Sequence, residues 1–312
     1  MSTQAPRKLL VLDLNGTLLL RSKRTRSGPS APNQGITRSR LVHPRPYLGT
    51  FKEYIFHPST KKWLDAMVWS SAQPHSVADM LNHCFGQQQR EFLAIWARDT
   101  LGLPPSLYHK KTQTTKDLAK PWATFPEHSH RTTLLLDDSA RKAHLHPHNH
   151  VCVREYLAET RRHDLEVSQS SSSTPAPSGK PRKASKPKSK NAHAAELASV
   201  DTSIDTPPDW FLSSPKYDET LLAVVGILET VKSETDVAEW IRGGGLLAAG
   251  VADTVVEQAT DSGLGALANQ MAALNLAQEV WFNSEATVNH WVGRGVLALE
   301  ALQIPVVAGV RR

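Results

Sequence analysis

Four short segments of this 312-residue chain carry the residues whose types could do chemistry. Asp13 ends the apolar run LLVL and stands just before Gly16 and Thr17 in LDLNGT. Ser70 and Ser71 follow AMVW, Lys116 lies in TTKDLAK, and Asp137 and Asp138 end the run TLLL. These are the parts that phosphoryl transfer needs. A carboxylate nucleophile can take a phosphoryl group as an aspartyl-phosphate. The incoming dianion must then be neutralised by a divalent cation, a lysine and N–H donors. On this reading Asp13 gives the nucleophile and one metal oxygen, and Lys116 is the cation. Asp137 and Asp138 finish the metal site and orient the lysine. Ser70, with Ser71 beside it, would hold phosphate oxygens together with the start of a helix opening at Pro74. An all-oxygen donor set of this kind suits Mg2+.

The elements that must position these residues are legible around them. Each of the three apolar runs is uninterrupted, as in strands buried on both faces of a parallel sheet. Their carboxyl ends would converge on one sheet edge, where open α/β folds bind ligands. PYLGTFKEYIF and SVADMLNHCF carry helical periodicity between them. The expectation is an α/β fold with a Rossmann-like parallel sheet. A first part spans residues 6–162 and a closing helical part spans 207–243. A helical C-terminal extension, 244–312, carries no chemical motif, and Trp281 and Trp291 there are expected to pack.

Residues 163–206 differ in kind. The run SQSSSSTPAPSGKPRKASKPKSK is rich in Ser, Pro and Lys and lacks apolar periodicity, so a disordered linker is expected. The net charge of +6 is concentrated in two acid-free blocks, 21–40 and 168–190, each with six Lys or Arg. The second block reads as solvated chain or as a nuclear address. Two cysteines are too few for a disulfide framework or a zinc site, which points to a reducing compartment. The longest apolar run, LLAVVGIL, is far short of a bilayer span. The opening MSTQAPRK has no apolar core, so neither a secretory leader nor an integral membrane segment is expected.

Five ordered segments together resemble the haloacid-dehalogenase superfamily. Within it they resemble the phosphatases of the RNA polymerase II C-terminal domain and their small relatives, which share the NLI-interacting-factor domain. LVLDLNGTL is similar to the motif D-x-D-x-T/V, and VHPRPYLGTFKEYIF to R-P-G-x-x-x-F-L. VWSSAQPHSVADML is similar to the Thr/Ser motif with its helix, KDL to the lysine motif, and LLLDDSARKAHLHPHNHV to D-D/N-S…H-P-x-N. The resemblance covers residues 8–153 and resumes around DETLLAVVGILETVKSETDVAEWIR. It implies that Asp13 is nucleophile and Mg2+ ligand, with the Asn15 main-chain carbonyl and Asp138 as the other protein ligands. Asp137 would brace Lys116, Lys116 and Ser70 would bind phosphate, and Thr17 would support the loop. The family has aspartate where this chain has Asn15, and that aspartate moves the proton in both half-reactions. An amide cannot move it. The loss is worth roughly 10²–10⁴-fold in rate, about 3–5 kcal/mol of barrier.

The resemblance therefore implies a Mg2+-dependent protein phosphatase for phosphoserine or phosphothreonine, slowed by Asn15. Its partner would be a phosphorylated protein or peptide, with the RNA polymerase II tail as one candidate. Nucleic acid is not the expected substrate. Nucleus or cytoplasm is the expected location rather than the mitochondrion. The alternative is a catalytically weak, phosphatase-like binding module, similar to the mitochondrial presequence receptor. The basic stretch 21–40 falls where family members insert a flap beside the pocket, and could guide an acidic substrate or be a solvated loop. His144, His146, His148 and His150 alternate, but HP and Asn149 already match the family loop.

Overall fold

A computed structural model describes residues 6–22, 40–172, 211, 214–247 and 281–311. The described strands are β1 (Lys8–Leu12), β2 (Leu19–Arg21), β3 (Val42–Pro44), β4 (Leu64–Trp69), β5 (Ile95–Trp96), β6 (Thr133–Asp137) and β7 (His150–Cys152). Five of them form one parallel sheet in the order β5–β4–β1–β6–β7. The described helices are α1 (Leu48–Phe56), α2 (Pro74–Cys84), α3 (Pro105–Tyr108), α4 (Ala119–Thr124), α5 (Ala158–Ser172), α6 (Thr220–Val231), α7 (Val237–Arg242) and α8 (Glu285–Ala301).

The apolar runs are continuous because both sheet faces are covered. In β1, Leu10 and Leu12 face one core with Leu134, Leu136 and Val151, while Leu9 and Val11 face the other with Met67, Trp69 and Leu135. Successive side chains of a strand point to opposite faces, so neither set can be polar. The register pairs Leu12 with Val68 and with Leu136. Asp13, Ser70 and Asp137 therefore leave the sheet at the same edge. The α/β class with a parallel sheet is the one expected.

Helix α6 explains the run LLAVVGIL. Leu221, Leu222, Val224, Val225, Ile227 and Leu228 are all buried, because the helix lies between the sheet and α8. A helix apolar all round is a core helix when it is this short. Among the described residues no helix is long and apolar enough to cross a membrane. The contact between α6 and α8 is backbone against backbone. A Cβ on Gly226 would lie 2.1 Å from the Trp291 carbonyl oxygen, and one on Gly295 would lie 2.0 Å from that of Leu222.

Two boundaries differ from the sequence expectation. The described part of 244–312 is not an appended extension: Trp291, Val292, Val296 and Leu299 of α8 belong to the main core. Trp281 and Trp291 are packed there, with their ring N–H groups donating to the carbonyls of Cys152 and Leu246. The first domain segment also runs past residue 162. Helix α5 continues to Ser172, and it is anchored within the expected linker by Asp164, which is buried and tied at both oxygens. It accepts from the Tyr156 hydroxyl at 2.9 Å and from the Asp218 N–H at 3.0 Å. A polar sequence concealed that anchor. The rest of the expected linker, 173–206, lies outside the described residues, as do 23–39 of the basic stretch and 248–280 near the carboxyl end.

Tyr47, just before α1, holds φ at +63°. It stands where the resembling motif has glycine, and the backbone there still takes the left-handed form that glycine favours. Burial of its ring and an edge contact with Tyr217 hold it in place.

The crossing of α6 and α8 makes a test with an unusual sign. Glycine to alanine inside a helix ordinarily stabilises by about 0.5–1 kcal/mol. Gly226→Ala or Gly295→Ala should instead destabilise by about 1–3 kcal/mol in denaturant titration, as overpacked cores do. Increased stability in either variant would contradict this crossing.

Candidate active site

The site is a cluster of buried charge at the carboxyl edge of the sheet. Lys116 is wholly buried, and its Nζ donates to Asp13 Oδ1 at 2.8 Å and to Asp137 Oδ2 at 2.6 Å. The expected lysine, nucleophile and brace are therefore in direct contact. Asp13 and Asp137 are buried as well. Burial alone would raise the Asp137 carboxyl, but the charges of Lys116 and Lys142 outweigh it and hold it below the usual carboxylate range. Asp138 goes the other way. Burial, with the like charges of Asp13 and Asp137, pushes it up to about 7 against the pull of Lys142.

The loop after β1 is shaped to admit Asp138. A Cβ on Gly16 would lie 2.8 Å from Asp138 Oδ2, and Gly16 also holds φ at +90°. Glycine is required there on both counts. Thr17 clasps Asp138 twice: its hydroxyl donates to Asp138 Oδ1 at 3.3 Å and accepts from the Asp138 N–H at 3.1 Å. One oxygen each from Asp13, Asp137 and Asp138 lie within 4.8 Å of one another. That hard, crowded oxygen set, with Asp138 raised by burial and by its neighbours' charge, fits a divalent cation such as Mg2+.

Ser70 and Ser71 leave β4 beside this cluster. Ser70 Oγ is buried and accepts from the Ala72 N–H at 3.3 Å, while Ser71 Oγ bonds with Thr114 Oγ1 at 2.9 Å. Ser71 opens on a cleft of about 710 Å³ whose wall includes Arg21, Arg40, His75, Lys110 and Lys111. The segment 107–111, which carries Lys110 and Lys111, is fixed there by Arg98, whose guanidinium donates to the carbonyls of Ser71, Leu107, Tyr108 and Lys110. Asn15 stands at the exposed rim, its side-chain oxygen accepting from the Arg21 N–H at 2.8 Å. Its amide oxygen is thus engaged with the main chain of β2. Of the alternating histidines, His146 contacts Asp117 at 2.9 Å and His150 Nε2 contacts the Asp137 carbonyl at 3.0 Å.

Two residues escaped the sequence reading. Lys142 sits on a short turn after Asp138, and its Nζ lies 3.3 Å from Asp13, 2.9 Å from Asp137 and 3.4 Å from Asp138. Its spacing of four from Asp138 was the available signal. The second is Arg45, which the sequence reading held only as part of the segment VHPRPYLGTFKEYIF, with no role, and which is buried. Its guanidinium donates to the Thr17 carbonyl at 2.9 Å and to Asp218 at 3.1 and 2.8 Å. It ties the loop after β1 to the chain entering α6.

The parallel sheet and the carboxylate–lysine edge define a protein of the haloacid-dehalogenase type. Residues 8–172 match the NLI interacting factor-like phosphatase family. The chain belongs to that family. It is 36% identical over 163 residues to an FCP1 homology domain-containing protein of Schizosaccharomyces pombe, covering 49% of this chain and 63% of that protein. The fission yeast RNA polymerase II CTD phosphatase Fcp1, as a variant bound to beryllium fluoride, is 14% identical with a TM-score of 0.34, covering 48% of this chain and 42% of that one. A second Fcp1 structure, described as an essential RNA polymerase II CTD phosphatase, is 16% identical with a TM-score of 0.33, covering 49% and 42%. The chain thus spans less than two thirds of each of these relatives.

Arg45 provides the test of how the site is held. Arg45→Met leaves the Asp218 carboxylate buried without its partner and should cost about 3–5 kcal/mol. The Asp218 carboxyl would be raised by burial, but Arg45 holds it below the usual range. Its contribution is therefore full above the unfolded value of about 3.9 and is lost as pH falls through the lower folded value. Arg45→Met should remove that part of the acid dependence of stability. A variant as stable as the native chain from neutral to acid pH would refute the tie.

Proposed function

We propose that this chain is a phosphoprotein phosphatase that forms an aspartyl-phosphate on Asp13, with turnover limited by Asn15. The observation that carries the reading is the Lys116 ammonium held 2.8 Å from Asp13 and 2.6 Å from Asp137, at the sheet edge where Ser70 and Ser71 leave β4. In the first step an Asp13 oxygen attacks phosphorus, the bond from phosphorus to the substrate oxygen breaks, and the leaving oxygen takes up a proton. In the second, water attacks the same phosphorus, the Asp13 oxygen leaves, and the water proton is removed. Lys116 neutralises charge in both steps, and Ser70, Ser71 and the main-chain N–H groups after them orient phosphate oxygens. A Mg2+ ion held by Asp13, Asp138 and the Asn15 carbonyl would add charge neutralisation at the phosphoryl oxygens.

The basic cleft beside Ser71 supports a phosphorylated, acidic protein or peptide over a small neutral ester. The RNA polymerase II tail is the first such substrate to try, in the nucleus or the cytoplasm. A second reading, a phosphopeptide-binding module with little turnover, is favoured by one observation. The Asn15 side chain is an amide at the rim, tied to Arg21, and it cannot move the proton that an alkoxide leaving group needs.

The two readings separate on leaving group. An aryl phosphate departs as a phenolate and needs little protonation, so the native chain should hydrolyse it, and Asp13→Asn should abolish that activity. Asn15→Asp should raise phosphoserine-peptide turnover about ten-fold or more, within the general-acid range, and aryl turnover less. Tight phosphopeptide binding without hydrolysis in native protein and in Asn15→Asp would decide for the binding module.

A further inference from the structure

The cation that the sequence reading missed has a consequence for the metal. Lys142 Nζ contacts Asp137 Oδ1 at 2.9 Å, Asp13 Oδ2 at 3.3 Å and Asp138 Oδ1 at 3.4 Å. It therefore lies among the three carboxylates whose oxygens are gathered within 4.8 Å. A magnesium ion binds its oxygens at about 2.0–2.1 Å. An ion taking those oxygens would occupy the space in which this ammonium sits.

Charge makes the same exclusion. With all three carboxylates ionised, as metal ligation requires, they and the ammoniums of Lys116 and Lys142 sum to one negative charge. Adding a divalent ion with Lys142 in place would leave one buried positive charge, whereas adding it as Lys142 departs leaves the cluster neutral. The two lysines differ in their freedom to leave. Lys116 is wholly buried, but the Lys142 side chain is 16% exposed and sits on a surface turn. The main chains remain joined, since the Lys116 N–H donates to the Lys142 carbonyl at 2.8 Å. Only the flexible stem has to move.

We infer that Lys142 is a tethered cation that competes with the divalent ion for the Asp13–Asp138 seat, so that magnesium binds only as the Lys142 side chain withdraws. The inference rests on those carboxylates being the metal seat of the proposed phosphatase. Lys142 is a positioning residue here: it sets metal affinity and holds the carboxylates apart from one another's charge in the meantime.

The test is calorimetric titration of Mg2+ alone into the full chain after chelator treatment. Lys142→Met keeps the apolar stem and removes the charge, and it should bind Mg2+ about ten-fold more tightly or better. Equal or weaker binding by Lys142→Met overturns the inference and leaves the seat standing. Absence of Mg2+ binding in both proteins overturns the seat and the inference together. Should Lys142→Met not fold, amine acylation of the native chain supplies the answer by mass spectrometry. Mg2+ should raise the acylation rate of Lys142 several-fold while exposed Lys61 stays constant. An unchanged Lys142 rate across the Mg2+ range overturns the inference.

Discussion

A buried lysine between two buried aspartates is the constraint on which the site depends. Removing one member of such a pair would leave charge stranded in a low-dielectric interior, a cost of about 3–5 kcal/mol. Lys116 therefore has to reach Asp13 and Asp137 together, and that requires β1 and β6 to be neighbours in register. Register in turn is set by apolar side chains that alternate between two covered faces. The charge cluster and the hydrophobic core thus specify the same strand pairing. Gly16 and Thr17 complete the arrangement by letting Asp138 approach and then clasping it.

The loop that carries Asp13 is held from behind by distant parts of the chain. Arg45 binds the Thr17 carbonyl and Asp218, and Asp218 leads into α6. Helix α6 is locked by the glycine crossing to α8, and the chain beyond α8 returns to α1, where Thr50 accepts from the Val307 N–H at 3.0 Å. Segments far apart in sequence thus bear on one loop. On the opposite side, Arg98 fixes the segment 107–111 against Ser71 through main-chain carbonyls. The cleft wall is built by a buried side chain rather than by the exposed lysines that line it.

The sequence made β1, β4 and β6 legible because strands buried on both faces leave unbroken apolar runs, and the polar residues ending them marked the edge. Helices α1 and α2 were legible from their apolar spacing. Other features were silent for identifiable reasons. β5 has two residues and β7 three, too few for any period to register. Lys142 was not singled out, because its meaning depends on a turn that folds it back over Asp138. The place of α8 depended on Gly226 and Gly295 meeting, and no local pattern announces a contact at that separation. α5 was cut short in the reading because its one deep anchor, Asp164, is a charged residue in a polar stretch.

The central claim is that Asp13 is the phosphoryl acceptor in this cluster. Native protein incubated with an aryl phosphate, then treated with borohydride, should yield a peptide in which Asp13 alone has been reduced, because only an acyl phosphate is labile to that reagent. The slow second step expected with Asn15 should make the trapped fraction large, and Asp13→Asn should show none. An unmodified Asp13 under turnover, or a trapped group on another residue, would contradict the account.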